Sequence, residues 1–264
     1  MTLSPFLRAS VALHATAIPA LALAPHRWVW IAGVLVLDHH VAIAGGLLPR
    51  STILGPNVRS SATAAAAGAV ALTFDDGPDP EVTPMVLDLL EARGATATFF
   101  CIGENAARHR SLTAEIAARG HRLENHSYSH RNGFFFHLPA TLDREIGRCQ
   151  EELERASGRP PAFFRAPAGI RSPLLERALT RARLRLVSWT RRGFDTVSGD
   201  AAVVASRLTR NLAAGDIVLL HDVARAPGAG ASSVALRALP HVFDAIEAAG
   251  LRAAPLMDDA PGVA

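Results

Sequence analysis

From about Gly68 onward the sequence alternates short apolar runs with stretches of helical spacing, and this alternation leaves few folds open to it. Val70-Ala71-Leu72-Thr73-Phe74 reads as a buried strand ending at the turn Asp76-Gly77-Pro78. Thr83 to Arg93 has helical spacing and stops at Gly94, a residue suited to a left-handed C-cap. Thr96 to Phe100 predicts the next strand. Ser111 to Arg119 predicts a helix closed by Gly120, and Thr141 to Ala156 another, ending at Ser157-Gly158. Later strands are predicted at Phe163-Phe164, Leu184 to Val187 and Ile217 to Leu220, and a last helix at Val234 to Ala249. Strands alternating with helices in this way argue for an α/β fold with a parallel sheet, open or closed into a barrel. In such folds chemistry gathers at the C-terminal ends of the strands. Asp75, Asp76, Arg165, Asp195 and His221 all fall at such ends.

Ahead of this pattern lie two apolar blocks, residues 9–24 and Trp28 to Leu48, separated by Pro25-His26-Arg27. They account for a composition of 49% hydrophobic and 19% charged residues, more apolar than a soluble domain. Two adjacent blocks favour a hairpin of membrane spans or interfacial helices. The alternatives are a signal peptide cut near Ala20-Leu21-Ala22 followed by one anchor, and a soluble helical cap. Asp38, His39 and His40 break the second block and are costly in lipid. Neighbours on a helix point in different directions, so these three make a poor ligand set and read as a polar break at an interface. Arg8 precedes the hairpin, Arg50 and Arg59 follow it, and Arg27 lies between, a distribution that keeps both ends and the main domain cytoplasmic. Pro49 to Ala67, with Gly55-Pro56-Asn57 and a Ser/Ala-rich run, reads as a spacer. The organisation is therefore membrane-associated segments at 1–48, a linker at 49–67 and one domain at 68–264.

Every one of the 27 Lys+Arg residues is arginine, and they are spread along helical stretches with a net charge of only +3. No basic patch interleaved with aromatics is present, which argues against nucleic acid as a partner. Cys101 and Cys149 are too few for a disulfide framework and match no zinc spacing, and Cys101 reads as a buried thiol.

Two constellations carry chemistry. In Thr73-Phe74-Asp75-Asp76-Gly77-Pro78, adjacent carboxylates after a buried strand are expensive unless a cation or proton shares the site, although a surface turn tolerates the same residues. In His126-Ser127-Tyr128-Ser129-His130, histidines at i and i+4 share one face of a helical turn and can share one ion, although such pairs also arise by chance among 11 histidines. Together, one aspartate and two histidines form a mixed N/O set suited to zinc or a similar divalent ion, and the second aspartate can act as a base.

These blocks resemble the polysaccharide deacetylase family, the NodB-homology domain of carbohydrate esterase family 4. Its motifs follow in order as Thr73 to Pro78, His126 to His130, Arg165-Ala166-Pro167-Ala168-Gly169, Trp189 with Asp195, and Leu219-Leu220-His221-Asp222. The resemblance implies a distorted (β/α) barrel of about seven strands and a metal-dependent hydrolase that removes N-acetyl groups from amino sugars. It implies Asp76, His126 and His130 as ligands of one divalent ion, zinc before cobalt. Asp75 would be the general base, Arg165 its charge partner, and His221 the general acid with Asp195 beside it. Ala168, Leu219 and Trp189 would line the substrate pocket. Two positions depart from the family pattern: Ala168 stands where a tyrosine is usual, and the segment Trp189 to Asp195 lacks the common Asp-Trp pair. Among the remaining residues, Asp222 reads as a loop-orienting group and Phe163 and Phe164 as core, while His121 and His137 fit packing or a substrate groove equally. The expected substrate is an N-acetylated glycan, either a polymer or a lipid-linked sugar. A deformylase, an O-acetyl esterase and a non-catalytic carbohydrate-binding module are the competing readings.

Overall fold

A computed structural model describes residues 3–131, 133–223 and 233–257; the last seven residues of the expected domain lie outside these. Among the described residues eight strands run in chain order: β1 (Ala69–Asp75), β2 (Thr98–Cys101), β3 (Arg122–Asn125), β4 (Phe163–Phe164), β5 (Arg185–Leu186), β6 (Arg191–Arg192), β7 (Ile217–His221) and β8 (Arg252–Ala254). Seven of them form one curled path, β5-β4-β3-β2-β1-β7-β6, with β8 added against the start of β1. All the ladder pairings are parallel. The expected distorted barrel of about seven strands is thus present.

Among the described residues the α-helices are ten: α1 (Pro5–Leu23), α2 (Trp28–Leu47), α3 (Ala62–Ala66), α4 (Thr83–Ala92), α5 (Gly103–Arg108), α6 (Arg110–Ala118), α7 (Pro139–Ser157), α8 (Leu175–Arg181), α9 (Ala201–Thr209) and α10 (Val234–Ala248). The central strand β1 is buried along its whole length, as a strand covered on both faces must be. On one face Leu72 and Phe74 meet apolar residues of α4 and α10; on the other Ala69 and Ala71 meet Phe163, Val187 and Trp189. Three strands escape the sequence reading. In β3 a single leucine lies between Arg122 and Glu124, so no apolar run marks it; Glu124 is nonetheless buried, accepting from the Ala162 and Phe163 N–H groups at 2.8 and 2.6 Å. β6 is a pair of arginines, and β8 carries one arginine and two alanines.

The two N-terminal helices form a hairpin, and both are long and apolar enough to cross a membrane. Asp38 is not an isolated polar break: its carboxylate accepts from Ser10 Oγ at 2.8 Å across the hairpin, and His14 lies 3.9 Å away. The His14 and His39 rings meet edge to face at 5.2 Å. The partner absent from the sequence reading is therefore supplied by the other helix, not by the neighbours of Asp38.

The stretch 49–67, which composition alone reads as a spacer, is fastened to the domain. Leu54 is fully buried, Val58 forms a parallel bridge with Val187, and Arg171 donates to the Gly55 and Pro56 carbonyls at 3.2 and 3.3 Å. Gly46, near the end of α2, lies so close to the barrel that a Cβ there would stand 2.5 Å from the Arg171 carbonyl oxygen. Gly46→Ala is expected to push the hairpin off this contact at a cost of about 1–3 kcal/mol. Faster protease cleavage between residues 49 and 58 is the measurement; an unchanged rate would show the contact to be slack.

Candidate active site

The residues singled out in the sequence converge on one cleft of about 170 Å³ at the C-terminal ends of the strands, lined by Asp75, Asp76, His126, His130, Ala168, Trp189, Leu219 and His221. Arg165 and Asp195 stand directly behind Asp75 and His221. The parallel register explains the convergence, because Asp75 pairs with His221 across β1 and β7.

Asp76 and the two histidines form a triad. His126 Nε2 lies 3.5 Å and His130 Nε2 3.2 Å from Asp76 Oδ1, and one ligand atom from each lies within 4.8 Å of the others. The His126 Nδ1 is 2.9 Å from the Arg165 carbonyl oxygen, which makes it the donor and leaves the Nε2 lone pair facing Asp76. Burial opposes ionisation of Asp76, but in the protonated state of His126, with a proton on Nε2 as well, that ring and the His130 and His221 charges hold the carboxyl well below the usual range. An ionised carboxylate with two imidazoles is a donor set that fits one divalent ion.

The expected helical turn at 126–130 is replaced by a loop. Ser127 and His130 have φ of 63° and 47°, which no helical turn allows. The loop is held by side chains the sequence reading passed over: Asn125 accepts from the Ser127 N–H, and Glu145 from both the N–H and the hydroxyl of Ser129. Of the seven non-glycine residues with positive φ among the described residues, five sit in or beside the cleft, namely Asp76, Ser127, His130, Ala168 and Phe194. Such backbone costs of order 1 kcal/mol or more per residue, and it concentrates where side chains must be aimed.

Asp75 is buried and receives Arg165 Nη1 at 2.6 Å, while the same guanidinium donates to Thr73 Oγ1 at 2.8 Å and the Ser188 carbonyl at 3.1 Å. Its plane lies over Phe100, 4.1 Å from the ring centroid. Burial pulls the Arg165 pKa down, partly offset by Asp75. Across the cleft, Asp195 grips His221 twice, at the ring Nδ1 (3.0 Å) and the backbone N–H (2.8 Å). Burial lowers the His221 pKa, but the Asp195 hydrogen bond and charge, with Asp75 and Asp76, raise it above its ordinary value.

Asp222 braces the carboxylate turn from beneath. It accepts from the Gly77 N–H at 3.1 Å and the Thr83 hydroxyl at 2.6 Å, and burial pushes its pKa up to about 7. Arg192 also lines the cleft, its guanidinium 5.2 Å from the Trp189 ring and 4.7 Å from that of Phe194. Nothing in a sequence of two adjacent arginines distinguishes it from its surface neighbour. His121, left open between packing and a groove, is a packing residue: it is buried against Phe99 and faces the Ala97 N–H at 3.2 Å.

The profile of the polysaccharide deacetylase family matches residues 63–187. A chitooligosaccharide deacetylase of Azorhizobium caulinodans is 33% identical over 70% of this chain and 91% of its own length. The chain belongs to the polysaccharide deacetylase family. A peptidoglycan-N-acetylglucosamine deacetylase of Bacillus cereus is 36% identical, and the chain spans only 55% of that relative. Among solved structures, a peptidoglycan N-acetylglucosamine deacetylase in complex with an aryl N-oxidanyl-benzamide aligns with TM-score 0.67 and 31% identity over 76% of this chain and 90% of that one. The family 4 carbohydrate esterase of Streptomyces lividans, in complex with acetate, aligns with TM-score 0.63 and 30% identity over 70% and 91%. The named deacetylase relatives are hydrolases of carbon–nitrogen bonds other than peptide bonds.

Proposed function

We propose that this chain hydrolyses the N-acetyl group of an amino sugar in a glycan, using one divalent ion, zinc by its ligand chemistry, held by Asp76, His126 and His130. The observation that carries the reading is the placement of an arginine-paired carboxylate, Asp75, beside this triad, with an aspartate-paired imidazole, His221, in the same cleft. A bound divalent ion would acidify the attacking water and polarise the acetyl carbonyl. Asp75, oriented by Arg165, takes the proton from that water as its oxygen attacks the carbonyl carbon. The Ala168 N–H is assigned to the oxygen that becomes negative. His221 then gives its proton to the sugar nitrogen as the C–N bond breaks, releasing acetate and a free amine. Leu219 and Trp189 enclose the acetyl methyl. The hairpin is read as the membrane anchor, with the domain on the cytoplasmic side.

The first test is acetate release from N-acetylglucosamine oligomers by the zinc-loaded full chain. Release that stops on chelation and returns with added zinc is expected; one ion bound per chain without release would overturn the polymer substrate, and the same result on an alkyl glycoside of N-acetylglucosamine would overturn the reading.

The general acid also makes a pH prediction. His221 acts while protonated, and its pKa is raised above the ordinary histidine value, so activity is lost as pH rises through that raised value. Asp195→Asn removes the partner that raises it and leaves burial, which lowers it. The alkaline limb of kcat is therefore expected to move to lower pH; a limb that stays in place would remove His221 from the acid role.

A further inference from the structure

Next to the cleft lies an apolar groove of about 250 Å³ between α2 and the barrel. Ala42, Ile43 and Leu47 of α2 form one wall, and Phe135, Phe136 and Ile170 face them. The groove and the cleft share a partition. Ala168 and Gly169 line the cleft, and the next residue, Ile170, lines the groove. The opposite wall is also continuous with the site, since the Phe134–Phe136 turn follows His130 in the same loop. Pro49, just beyond α2, sits against the partition: a Cβ on Gly169 would lie 3.0 Å from it.

The groove offers little to a hydroxylated sugar. The polar groups at its edge are engaged elsewhere, Arg171 with the Gly55 and Pro56 carbonyls and Glu176, and His39 through Nδ1 with the Leu35 carbonyl. Among the lining residues, by contrast, apolar side chains stand open: Phe136 is 77% exposed, with Ile43 and Leu47 also exposed. These residues continue the apolar surface of the hairpin, a segment long and apolar enough to enter a bilayer, to within one residue of the cleft. A contiguous exposed patch of this kind marks a binding surface, and its chemistry is that of a hydrocarbon chain.

We infer that the groove receives the alkyl or isoprenoid chain of a membrane glycolipid, whose N-acetylated sugar then lies in the cleft. This rests on the deacetylase reading above and narrows its substrate to a lipid-linked amino sugar. The test compares acetate release from methyl and octyl glycosides of N-acetylglucosamine by the zinc-loaded full chain in lipid nanodiscs. Each buried methylene is worth roughly fourfold in affinity, so the octyl compound is expected to gain more than tenfold in kcat/KM, through KM. Ala42→Phe, which fills the groove, and Phe136→Ser, at an exposed tip where folding is not at stake, are each expected to cut that ratio below threefold. The ratio is taken within each variant, so partial loss of enzyme cancels. A flat ratio in the parent, with turnover of both compounds, overturns the groove alone. An equal gain in parent and variants assigns the effect to partition into the bilayer, and overturns it as well. If no N-acetylglucosamine compound is turned over, the deacetylase reading fails and the groove assignment falls with it.

Discussion

Asp75→Asn is expected to lower kcat for acetate release by about a thousandfold while one divalent ion still binds per chain. The size follows from the contribution of a positioned general base, ~10²–10⁴ in rate. The retained ion follows from the ligand set, since Asp76, His126 and His130 are untouched and Asp75 Oδ2 stands 4.0 Å from His126 Nε2. Asparagine keeps the shape and one hydrogen bond to Arg165 but cannot accept a proton. Acetate release and metal content are measured on the same sample. A loss of less than tenfold would take the base role from Asp75; loss of the ion would make Asp75 a ligand.

Arg165→Met is expected to cost about 3–5 kcal/mol in unfolding free energy and to abolish measurable turnover. The guanidinium is fully enclosed, stacked on Phe100 and donating to Asp75, Thr73 and Ser188. Removing it leaves the buried Asp75 carboxylate beside Asp76 with no cation against it, the situation in which breaking a buried pair is most damaging. Asp75 would also lose the donor that aims it at the attacking water. The double variant Asp75→Asn/Arg165→Met removes both charges, and is expected to recover most of the lost stability but none of the activity. Denaturant unfolding followed by tryptophan fluorescence reads the first effect. A single variant as stable as the parent would show that the pair is not held as tightly as its 2.6 Å contact implies.

The fold and much of the cleft were legible because the informative residues sit where apolar runs stop. Phe74 to Asp75 and Leu220 to His221 are abrupt changes from core to charge, and the parallel register places the two changes side by side. What escaped has a physical reason in each case. β3 is stabilised by the charge of Glu124 on backbone N–H groups, a pattern that reads as surface in one dimension. The His126–His130 spacing matches a helix, yet the bonds from Ser127 to Asn125 and from Ser129 to Glu145 set a loop, and the latter partner lies sixteen residues away. That Asp222 orients a loop was legible, but not that the loop is the Gly77 turn, 145 positions away in sequence. Local patterns cannot express such distant bonds. The Gly/Pro/Ser composition of 49–67 likewise signals turns correctly, but says nothing of Leu54 buried in the middle.

That fastening has a mechanical consequence. A free chain the length of 49–67 would let the cleft wander over roughly 25 Å from its mooring. Held instead by Leu54, Val58 and Arg171, the domain has no stalk to swing on, and the cleft keeps a set height and bearing relative to the hairpin axis. Its working distance is built in. On the anchored reading proposed above, the enzyme would not search the space around the hairpin; it would wait at one depth, and only groups delivered to that depth would come within reach of Asp75 and His221.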